Sequence, residues 1–305
     1  MKVAVVGVGH IGKEHARVVA NTSGCELHAV VDQRRDRAQE VAERHRSRCF
    51  FDVSEIAGKV DAAVIAVPTE AHLPVAKRLL EAGVDCLVEK PIAGSIADAD
   101  ALIETAARCG RILQVGHVER FNPALQAALP LIKDPRFIEV HRLGSFVARS
   151  LDIDVVLDLM IHDIDVVLTL AGSMPTEVRA VGVPVLTRKI DICNVRLEIG
   201  KCVANLTASR VYRDKVRKVR IFQPDAYISL DYGAQSGDVY RLSKAEGLPQ
   251  VTASALTIVH EEPFKLQLQA FMTAVSRRKV PACSGEEARR ALQVALDIVQ
   301  RAAVA

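Results

Sequence analysis

A glycine-rich turn near the start of the chain constrains the fold more than any other feature. Residues 7–12 read GVGHIG, after an apolar strand predicted at 3–6 and before helical periodicity at 13–20. In a GxGxxG turn the first glycine makes the tight turn, the second lets backbone approach a pyrophosphate, and the third packs helix on strand. The pattern therefore predicts the first βαβ unit of a dinucleotide-binding Rossmann fold.

An acidic residue follows at the distance that selects the dinucleotide. The second predicted strand, residues 26–31, ends in Asp32, twenty residues after Gly12. A carboxylate at this place accepts hydrogen bonds from the ribose hydroxyls and repels a 2′-phosphate, so we expect NAD as the cofactor. Arg34 and Arg35 come next, and an arginine beyond this strand can neutralise a 2′-phosphate, which leaves NADP open as the alternative.

The alternation of strands and helices then continues in the doubly wound manner. We predict strands at 61–67, 86–89 and 112–115 and helices at 70–82 and 96–109. The carboxyl ends of parallel strands form one rim, where ligands bind. The residues of the glycine turn and the rim that we expect to contact the cofactor are Gly7, Gly9, His10, Ile11, Gly12, Asp32, Arg34, Pro68, Thr69, His72, Glu89, Lys90, Pro91 and His117. For the last histidine and for His72 a purely structural role is the alternative.

A lysine stands where one of these strands ends. Residues 87–91 read LVEKP, so Lys90 follows an apolar strand and precedes a proline. A lysine at the carboxyl end of a parallel strand directs its ammonium towards bound cofactor and substrate. Pro91 biases Lys90 away from helical geometry and so predicts a shaped turn. The alternative is a solvated lysine at a strand end.

Beyond residue 120 the pattern changes, and one helix carries ionisable groups on an apolar background. The helix predicted at 153–170 places Asp154, Asp158, His162 and Asp165 at steps of four, four and three, which puts them on one face. Buried carboxylates are costly without partners, so this face should point to a ligand or to water. An exposed acidic face is the alternative, although Lys, Arg and Glu are missing from this helix.

The remaining pattern predicts a second sheet. Antiparallel strands are predicted at 177–181, 191–199, 201–210, 218–223 and 226–231, a loop at 233–237, and helices at 124–129, 263–276 and 284–304. The predicted fold is therefore α/β, with an N-terminal Rossmann sheet and a C-terminal α+β domain that has a large, mostly antiparallel open sheet. We place the domains at 1–119 and 120–305, with the last helix as a candidate to pack back on the first domain. Helices cover one face of the second sheet, so we expect a homo-oligomer, a dimer or a tetramer, through the other face.

Composition excludes several classes of function. Basic residues (40) and acidic residues (37) nearly balance and are scattered, so we expect no nucleic-acid partner. No apolar run approaches the roughly 18 residues that span a bilayer, and no signal peptide is recognisable, so we expect a cytoplasmic protein without membrane contact. The seven cysteines contain no CxxC pair, which favours reduced thiols and no metal site.

Together these motifs resemble the glucose-fructose oxidoreductase, inositol dehydrogenase and rhizopine-catabolism (Gfo/Idh/MocA) family over essentially the whole chain. The glycine turn, the Glu-Lys-Pro at 89–91 and the Asp-x-x-x-His at 158–162 carry the resemblance. It implies that Lys90 and His162 lie at the reacting carbon with Asp158 as the preceding acid, and that the Lys90–Pro91 peptide is cis, although only about 5% of such bonds are.

More narrowly, residues 115–123 (VGHVERFNP) and 158–165 (DLMIHDID) resemble the branch that oxidises the 3-hydroxyl of UDP-N-acetylglucosamine. This implies a UDP-sugar substrate, held by Lys90, Asp158 and His162. In that branch the 3-keto product passes to an aminotransferase, on the way to the diamino sugar of some lipid A molecules.

A uridine diphosphate needs positive or hydrogen-bonding partners, and arginine binds phosphate with two parallel hydrogen bonds. By position alone the candidates are Arg120, Asn122, Arg149 and Arg210. Two alternatives remain open: an NAD(P)-dependent dehydrogenase of a free sugar, inositol or polyol, and a regulator that binds NAD without turnover.

Overall fold

Two sheets organise the chain in the computed structural model, which describes residues 1–146, 153–243 and 250–302. The first unit consists of Met1–Val118 and Glu262–Arg289, and the second of Glu119–Glu261 and residues 290–302. The segment Glu262–Arg289, which the sequence analysis placed in the second domain, thus lies in the first unit. Arg149 lies outside the described residues.

The first unit is a Rossmann sheet with helices, as predicted from the glycine turn. Its strands are β1 (Lys2–Val6), β2 (Glu26–Val31), β3 (Arg48–Phe50), β4 (Ala62–Ile65), β5 (Asp85–Val88) and β6 (Leu113–Val115). Its helices are α1 (His10–Ala20), α2 (Arg35–His45), α3 (His72–Glu81) and α4 (Ile96–Arg108), joined by α7 (Pro263–Arg277) from the later segment. In the described residues the strands pair in parallel in the order β3-β2-β1-β4-β5-β6.

Helix α7 joins the first unit because its apolar face completes a core. Leu268, Phe271 and Val275 on this helix pack in one cluster with Val5 and Val30 of the central strands. Phe271 is fully buried. Burying a side chain of this size stabilises a fold by about 1.5–3 kcal/mol, which explains why the segment belongs here.

The second unit is an open sheet covered by helices. Its strands are β7 (Phe137–Leu143), β8 (Glu177–Val183), β9 (Ile192–Ile199), β10 (Cys202–Ser209), β11 (Val216–Gln223), β12 (Ala226–Asp231), β13 (Ser236–Ser243) and β14 (Gln250–Ala255). Its helices are α5 (Pro123–Ala128), a π-helical turn at Val156–Met160, α6 (Ile161–Ala171) and most of α8 (Gly285–Ala302). The order among described strands is β14-β13-β12-β11-β7-β10-β9-β8.

Among the described residues, all strand pairs in this second sheet are antiparallel except one. Strand β7 runs parallel to β10 and antiparallel to β11, so it lies in the middle of the sheet. Ile138 and Val140 of β7 are buried in one core with Ile164 and Val167 of α6. The predicted fold class, a Rossmann sheet followed by a domain with a large, mostly antiparallel sheet, is confirmed.

Several elements were missed by the sequence analysis: α2, β3, β7, β13 and β14. The predicted loop at 233–237 instead leads directly into β13. The helix predicted at 153–170 is two elements, a π-helical turn followed by α6. Among the described residues, no helix has the length and apolar character that a bilayer span requires.

Candidate active site

The glycine turn has the backbone that its sequence predicts. Gly7 has a φ of +82°, a backbone angle that residues with a side chain rarely adopt. A Cβ on Gly12 would lie 1.8 Å from the carbonyl oxygen of Gly7, so the first turn of α1 packs directly on the loop. Only glycine permits this approach, and it brings the N-terminus of α1 to the end of β1, where backbone N–H groups favour an anion.

A cavity of about 570 Å³ opens at this end of the first sheet. The predicted cofactor residues that line it are Gly7, Gly9, His10, Ile11, Asp32, Arg34 and Pro68. Sequence analysis missed further lining residues, among them Gln33, Arg37, Phe51, Asp52, Val67 and Val75. Those at 51 and 52 follow β3, the strand that was also missed, and Arg37 lies one turn beyond Arg34. The cavity combines an anion-binding turn with apolar walls and a carboxylate, which fits a dinucleotide.

Asp32 is held at the cavity by backbone donors. One carboxylate oxygen accepts a hydrogen bond from the backbone N–H of Val8 at 2.9 Å, and the other accepts one from the N–H of Arg34 at 2.9 Å. The Arg34 guanidinium turns instead to Asp36, at 2.8 Å, and this hydrogen bond lowers the pKa of Asp36. The negative charge of Asp32 is therefore fixed where a 2′-phosphate would lie, and this supports NAD.

The Lys90–Pro91 peptide is cis, as the family resemblance implies. Glu89 turns its carboxylate into the protein, where it meets His15 Nε2 at 2.7 Å. Burial opposes the charge on Glu89, but the hydrogen bond from His15 and the charges of His15 and Lys90 outweigh it, so its pKa lies below the ordinary value. These contacts make Glu89 a support for the Lys90 turn, and its predicted contact with the cofactor stays a prediction.

The two histidines predicted near the rim are both buried. His72 on α3 is 1% exposed, and its ring nitrogens lie 3.0 Å from the carbonyl oxygens of Pro91 and Val67. Burial lowers its pKa against the effect of those carbonyls. Both ring nitrogens face backbone carbonyl oxygens, and the neutral ring can donate to one of them, which favours the structural alternative for His72. His117 follows β6 and is fully buried.

His162 and Asp158 lie where two kinds of helix meet in the second unit. Asp158 is in the π-helical turn Val156–Met160, and His162 is the second residue of α6. Both side chains are half-buried, whereas Val156, Met160 and Ile161 around them are buried. Turns with π geometry inside helices occur frequently at functional sites. Asp154 takes a separate role, because its carboxylate accepts the N–H of Ile190 at 2.9 Å.

Two buried ion pairs hold the helix on either side of His162. Asp163 receives two hydrogen bonds from Arg142, at 2.6 and 2.7 Å, and Asp165 receives two from Arg120 at the same distances. Glu119 adds a further contact to Arg142 at 2.9 Å. Burial opposes the charge on Arg142, but the two carboxylates around it outweigh this effect and raise its pKa.

This arrangement corrects two predictions. Asp165 is fully buried in an ion pair, so it does not belong to a polar face that points at a ligand. Arg120 is its partner, and Asn122 caps α5 while donating to Glu119 and to the carbonyl of Tyr232. Arg210 pairs with Asp191 at 3.0 Å, and its side chain is 6% exposed. Arg120, Asn122 and Arg210 thus have structural partners that argue against diphosphate binding.

Lys90 belongs to the first unit and His162 to the second. Their convergence on one reacting carbon stays a prediction. Within each unit, the local setting is what such a role requires: a lysine in a cis-proline turn at the strand rim, and a half-buried imidazole on a helix anchored by ion pairs.

Comparison with known proteins shows which proteins this chain is similar to. Residues 1–117 match the family model described as "Oxidoreductase family, NAD-binding Rossmann fold". The UDP-N-acetylglucosamine 3-dehydrogenase of Acidithiobacillus ferrooxidans is 39% identical over 302 residues, which covers 98% of this chain and 96% of that protein. An inositol 2-dehydrogenase of Corynebacterium glutamicum is 31% identical over 189 residues, 58% of this chain and 56% of that protein.

Comparison with solved structures gives the same relationship as the sequence comparison. The structure of UDP-N-acetylglucosamine 3-dehydrogenase GnnA from Acidithiobacillus ferrooxidans matches 99% of this chain and 97% of its own, with a TM-score of 0.94 and 38% identity. Similarity at this level over nearly the full length of both proteins confirms the family resemblance, and the NAD-binding family model confirms the expectation of NAD as the cofactor. The chain belongs to the Gfo/Idh/MocA family and is an NAD-dependent oxidoreductase.

Proposed function

We propose that the protein oxidises the 3-hydroxyl of UDP-N-acetylglucosamine to the 3-keto sugar with NAD. The observation that carries this proposal is the 39% identity, over 98% of the chain, to a UDP-N-acetylglucosamine 3-dehydrogenase. Lys90 stands in the Glu-Lys-Pro motif, and Asp158 and His162 stand in the Asp-x-x-x-His motif. The family resemblance assigns the catalytic groups to these positions.

The proposed division of work follows from the chemistry of the side chains. His162 takes the proton of the sugar hydroxyl at Nε2 or Nδ1, because histidine is the side chain that most often serves as a general base near neutral pH. Lys90 donates a hydrogen bond to the same oxygen and stabilises the negative charge that develops there. Asp158 orients the imidazole of His162 or stabilises its protonated form. When bound in the cavity beside Asp32 and the glycine turn, NAD supplies the hydride acceptor.

The first experiment removes the two proposed catalytic groups. We expect Lys90→Ala and His162→Ala each to lower kcat by about 10²–10⁴-fold, the usual contribution of an acid-base group, while the Kd for NADH stays unchanged. Lys77→Ala, at an exposed position on α3, and His260→Ala, at an exposed position after β14, are matched controls that should keep full turnover. Turnover within a few fold of wild type in both active-site variants would refute the assignment.

The second experiment identifies the substrate. NAD reduction is measured with UDP-N-acetylglucosamine beside UDP-glucose, free N-acetylglucosamine, glucose and inositol. The proposal predicts turnover with UDP-N-acetylglucosamine and at least 10²-fold lower kcat/KM for free sugars, because a site built for polar groups rejects analogues that lack them. The partial match to an inositol 2-dehydrogenase makes a polyol the second candidate, and preferential oxidation of inositol would establish it. NAD binding without any turnover would favour a regulator.

The cellular setting is part of the same proposal. We place the enzyme in the cytoplasm, with its keto product consumed by an aminotransferase that supplies a diamino sugar for lipid A. A homo-oligomer through the second sheet is supported by a row of aromatic rings across four strands. Phe137, Phe222, Tyr227 and Tyr240 lie opposite one another, with neighbouring ring centroids 4.6–5.6 Å apart. They alternate with core residues, so they lie on the face turned away from the core.

A further inference from the structure

The turn that carries Lys90 is held by two buried histidines from different helices. His15 on α1 is 2% exposed and contacts Glu89 Oε1 at 2.7 Å. Glu89 Oε2 in turn accepts the backbone N–H of Lys90 at 3.2 Å. On the other side, His72 on α3 lies 3.0 Å from the carbonyl oxygen of Pro91. The backbone on both sides of the cis peptide therefore contacts side chains from helices of the Rossmann unit.

The absence of a side chain at Gly116 leaves room for the Glu89 carboxylate. A Cβ on Gly116 would lie 2.8 Å from Glu89 Oε1 and 3.0 Å from Oε2, so a larger residue would collide with both oxygens. The Glu89 side chain is 12% exposed. The charged or titratable groups that act on it are His15 from α1, His72 from α3 and Lys90 next to it in the chain.

Burying an ionised carboxylate costs desolvation free energy that an apolar side chain of the same size would not. Apolar residues of similar volume commonly replace buried ion pairs without loss of stability, so an ionised group in this place calls for a role other than packing. The position of Glu89, directly before Lys90, suggests that role: its negative charge stabilises the ammonium form of the lysine. Its hydrogen bond also fixes the backbone from which the lysine side chain starts.

We propose that His15 and Glu89 act together as positioning residues for Lys90, His15 by holding the carboxylate in place and Glu89 by fixing the backbone and the charge state of the lysine. The inference deepens the proposed function and rests on it for the catalytic role of Lys90. Helix α1 begins at the glycine turn, so the pair also ties the cofactor-binding loop to the lysine turn through three hydrogen-bonding groups.

The first arm of the test needs neither substrate nor NAD. Acetylation of individual lysines in the folded protein at pH 8 is followed by mass spectrometry, and Glu89→Gln, which keeps the shape, is compared with wild type. Only the neutral amine reacts, so loss of the nearby negative charge should raise the acetylation rate of Lys90 by about threefold or more. Lys77, exposed on α3, is the internal control and should react equally in both proteins.

The second arm separates positioning from cofactor binding. His15→Leu removes the hydrogen-bond donor, whereas His15→Gln keeps one. We expect His15→Leu to lower kcat about tenfold, with the Kd for NADH within about twofold of wild type, and His15→Gln to recover most of the loss. If His15→Leu does not fold, as judged by circular dichroism, Glu89→Gln takes its place in the kinetic comparison.

The outcomes are decisive in either direction. An unchanged Lys90 acetylation rate in Glu89→Gln, or an unchanged kcat in His15→Leu, overturns the proposal. A raised KM for NAD with an unchanged kcat overturns it as well, because the pair would then serve cofactor binding. Failure of the proposed function is visible separately, as wild-type protein that does not oxidise UDP-N-acetylglucosamine. The acetylation arm stands whatever the substrate is.

Discussion

Arg120 and Asp165 form a bidentate ion pair, in which two guanidinium nitrogens donate to the two carboxylate oxygens at 2.6 and 2.7 Å. The arginine side chain is 10% exposed and the aspartate side chain is fully buried. The pair joins a 3₁₀ turn at Val118–Phe121 to α6, three residues beyond His162. Its geometry indicates that these two charges hold the helix rather than bind substrate.

Breaking this pair should cost far more than breaking an exposed one. We expect Asp165→Asn to lower the free energy of unfolding by about 3–5 kcal/mol, because it leaves the Arg120 charge buried without its full partner. Glu139→Gln, which breaks the half-exposed pair with Arg220, is the matched control and should cost under about 1 kcal/mol. Urea unfolding followed by circular dichroism measures both, and equal losses would contradict this assignment.

Asp32 should decide the choice between the two dinucleotides. Its carboxylate is fixed by two backbone N–H groups, so Asp32→Ala removes a stationary charge from the cavity. We expect the ratio of Kd values for NADPH and NADH to fall by about tenfold or more, since repulsion of the 2′-phosphate disappears while ribose hydrogen bonds are lost. Fluorescence titration measures both constants. Glu43→Ala, an exposed acid on α2, is the control for the change in net charge, and a similar shift there would point to long-range electrostatics instead.

Gly116→Ala should impair turnover through the Glu89 carboxylate. The new Cβ would lie 2.8 Å from Oε1, which forces the carboxylate to move and disturbs its bond to the Lys90 backbone. We expect kcat to fall about tenfold, equivalent to about 1.4 kcal/mol, in steady-state kinetics. Gly94→Ala, three residues beyond Pro91, meets nothing within 4 Å and should leave kcat unchanged. If the two variants behave alike, steric pressure on Glu89 is not the cause.

Asp191 should make part of the stability depend on pH. Burial opposes its charge, but backbone N–H groups of Thr187, Leu186 and Val185 at 2.6–2.8 Å outweigh this and lower its pKa to about 2. The folded state therefore holds the carboxylate ionised more strongly than the unfolded state, whose aspartate pKa is about 3.9. The resulting stabilisation, about 2–3 kcal/mol, is present above pH 4 and is lost as the pH falls through 4 to 2 and below.

The variant Asp191→Asn tests this pH dependence. We expect it to be less stable than wild type at pH 6, and we expect the difference between the two proteins to shrink as the pH approaches 2. Urea midpoints measured between pH 6 and pH 2 give the comparison. A difference that stays constant over this range would show that the ionised form of Asp191 contributes nothing specific.

Local patterns were enough to predict the Rossmann sheet and the backbone of the glycine turn. A tight turn or a strand end needs particular residue types, so a short stretch of sequence is enough to recognise it. This holds for the glycine turn, Asp32 and the Glu-Lys-Pro segment. Strand β7 was missed, since its place in the middle of the sheet depends on β10 and β11, more than sixty residues further along. Helix α2 was missed because only Ala38, Val41 and Ala42 form its buried stripe.

The partners of charged residues could not be predicted from sequence. Arg120 and Asp165 are 45 residues apart, and Arg142 and Asp163 are 21 apart, with no pattern that connects them. The helical spacing that grouped Asp158 with Asp165 assumed regular α geometry, and the π-helical turn at Val156–Met160 interrupts it. Sequence spacing thus located the helix of the site but not the orientation of its acids.

The return of the chain to its first unit limits how the protein can be divided. Residues 1–118 alone would lack Leu268 and Phe271, so an excised nucleotide-binding fragment would expose apolar surface around Val5 and Val30 to water. The same holds for a chain halted at residue 261 during synthesis, which lacks the segments that complete both cores. Folding of both units therefore needs residues beyond 261, and a nucleotide-binding fragment made for biophysical study needs the 262–289 segment joined back to it.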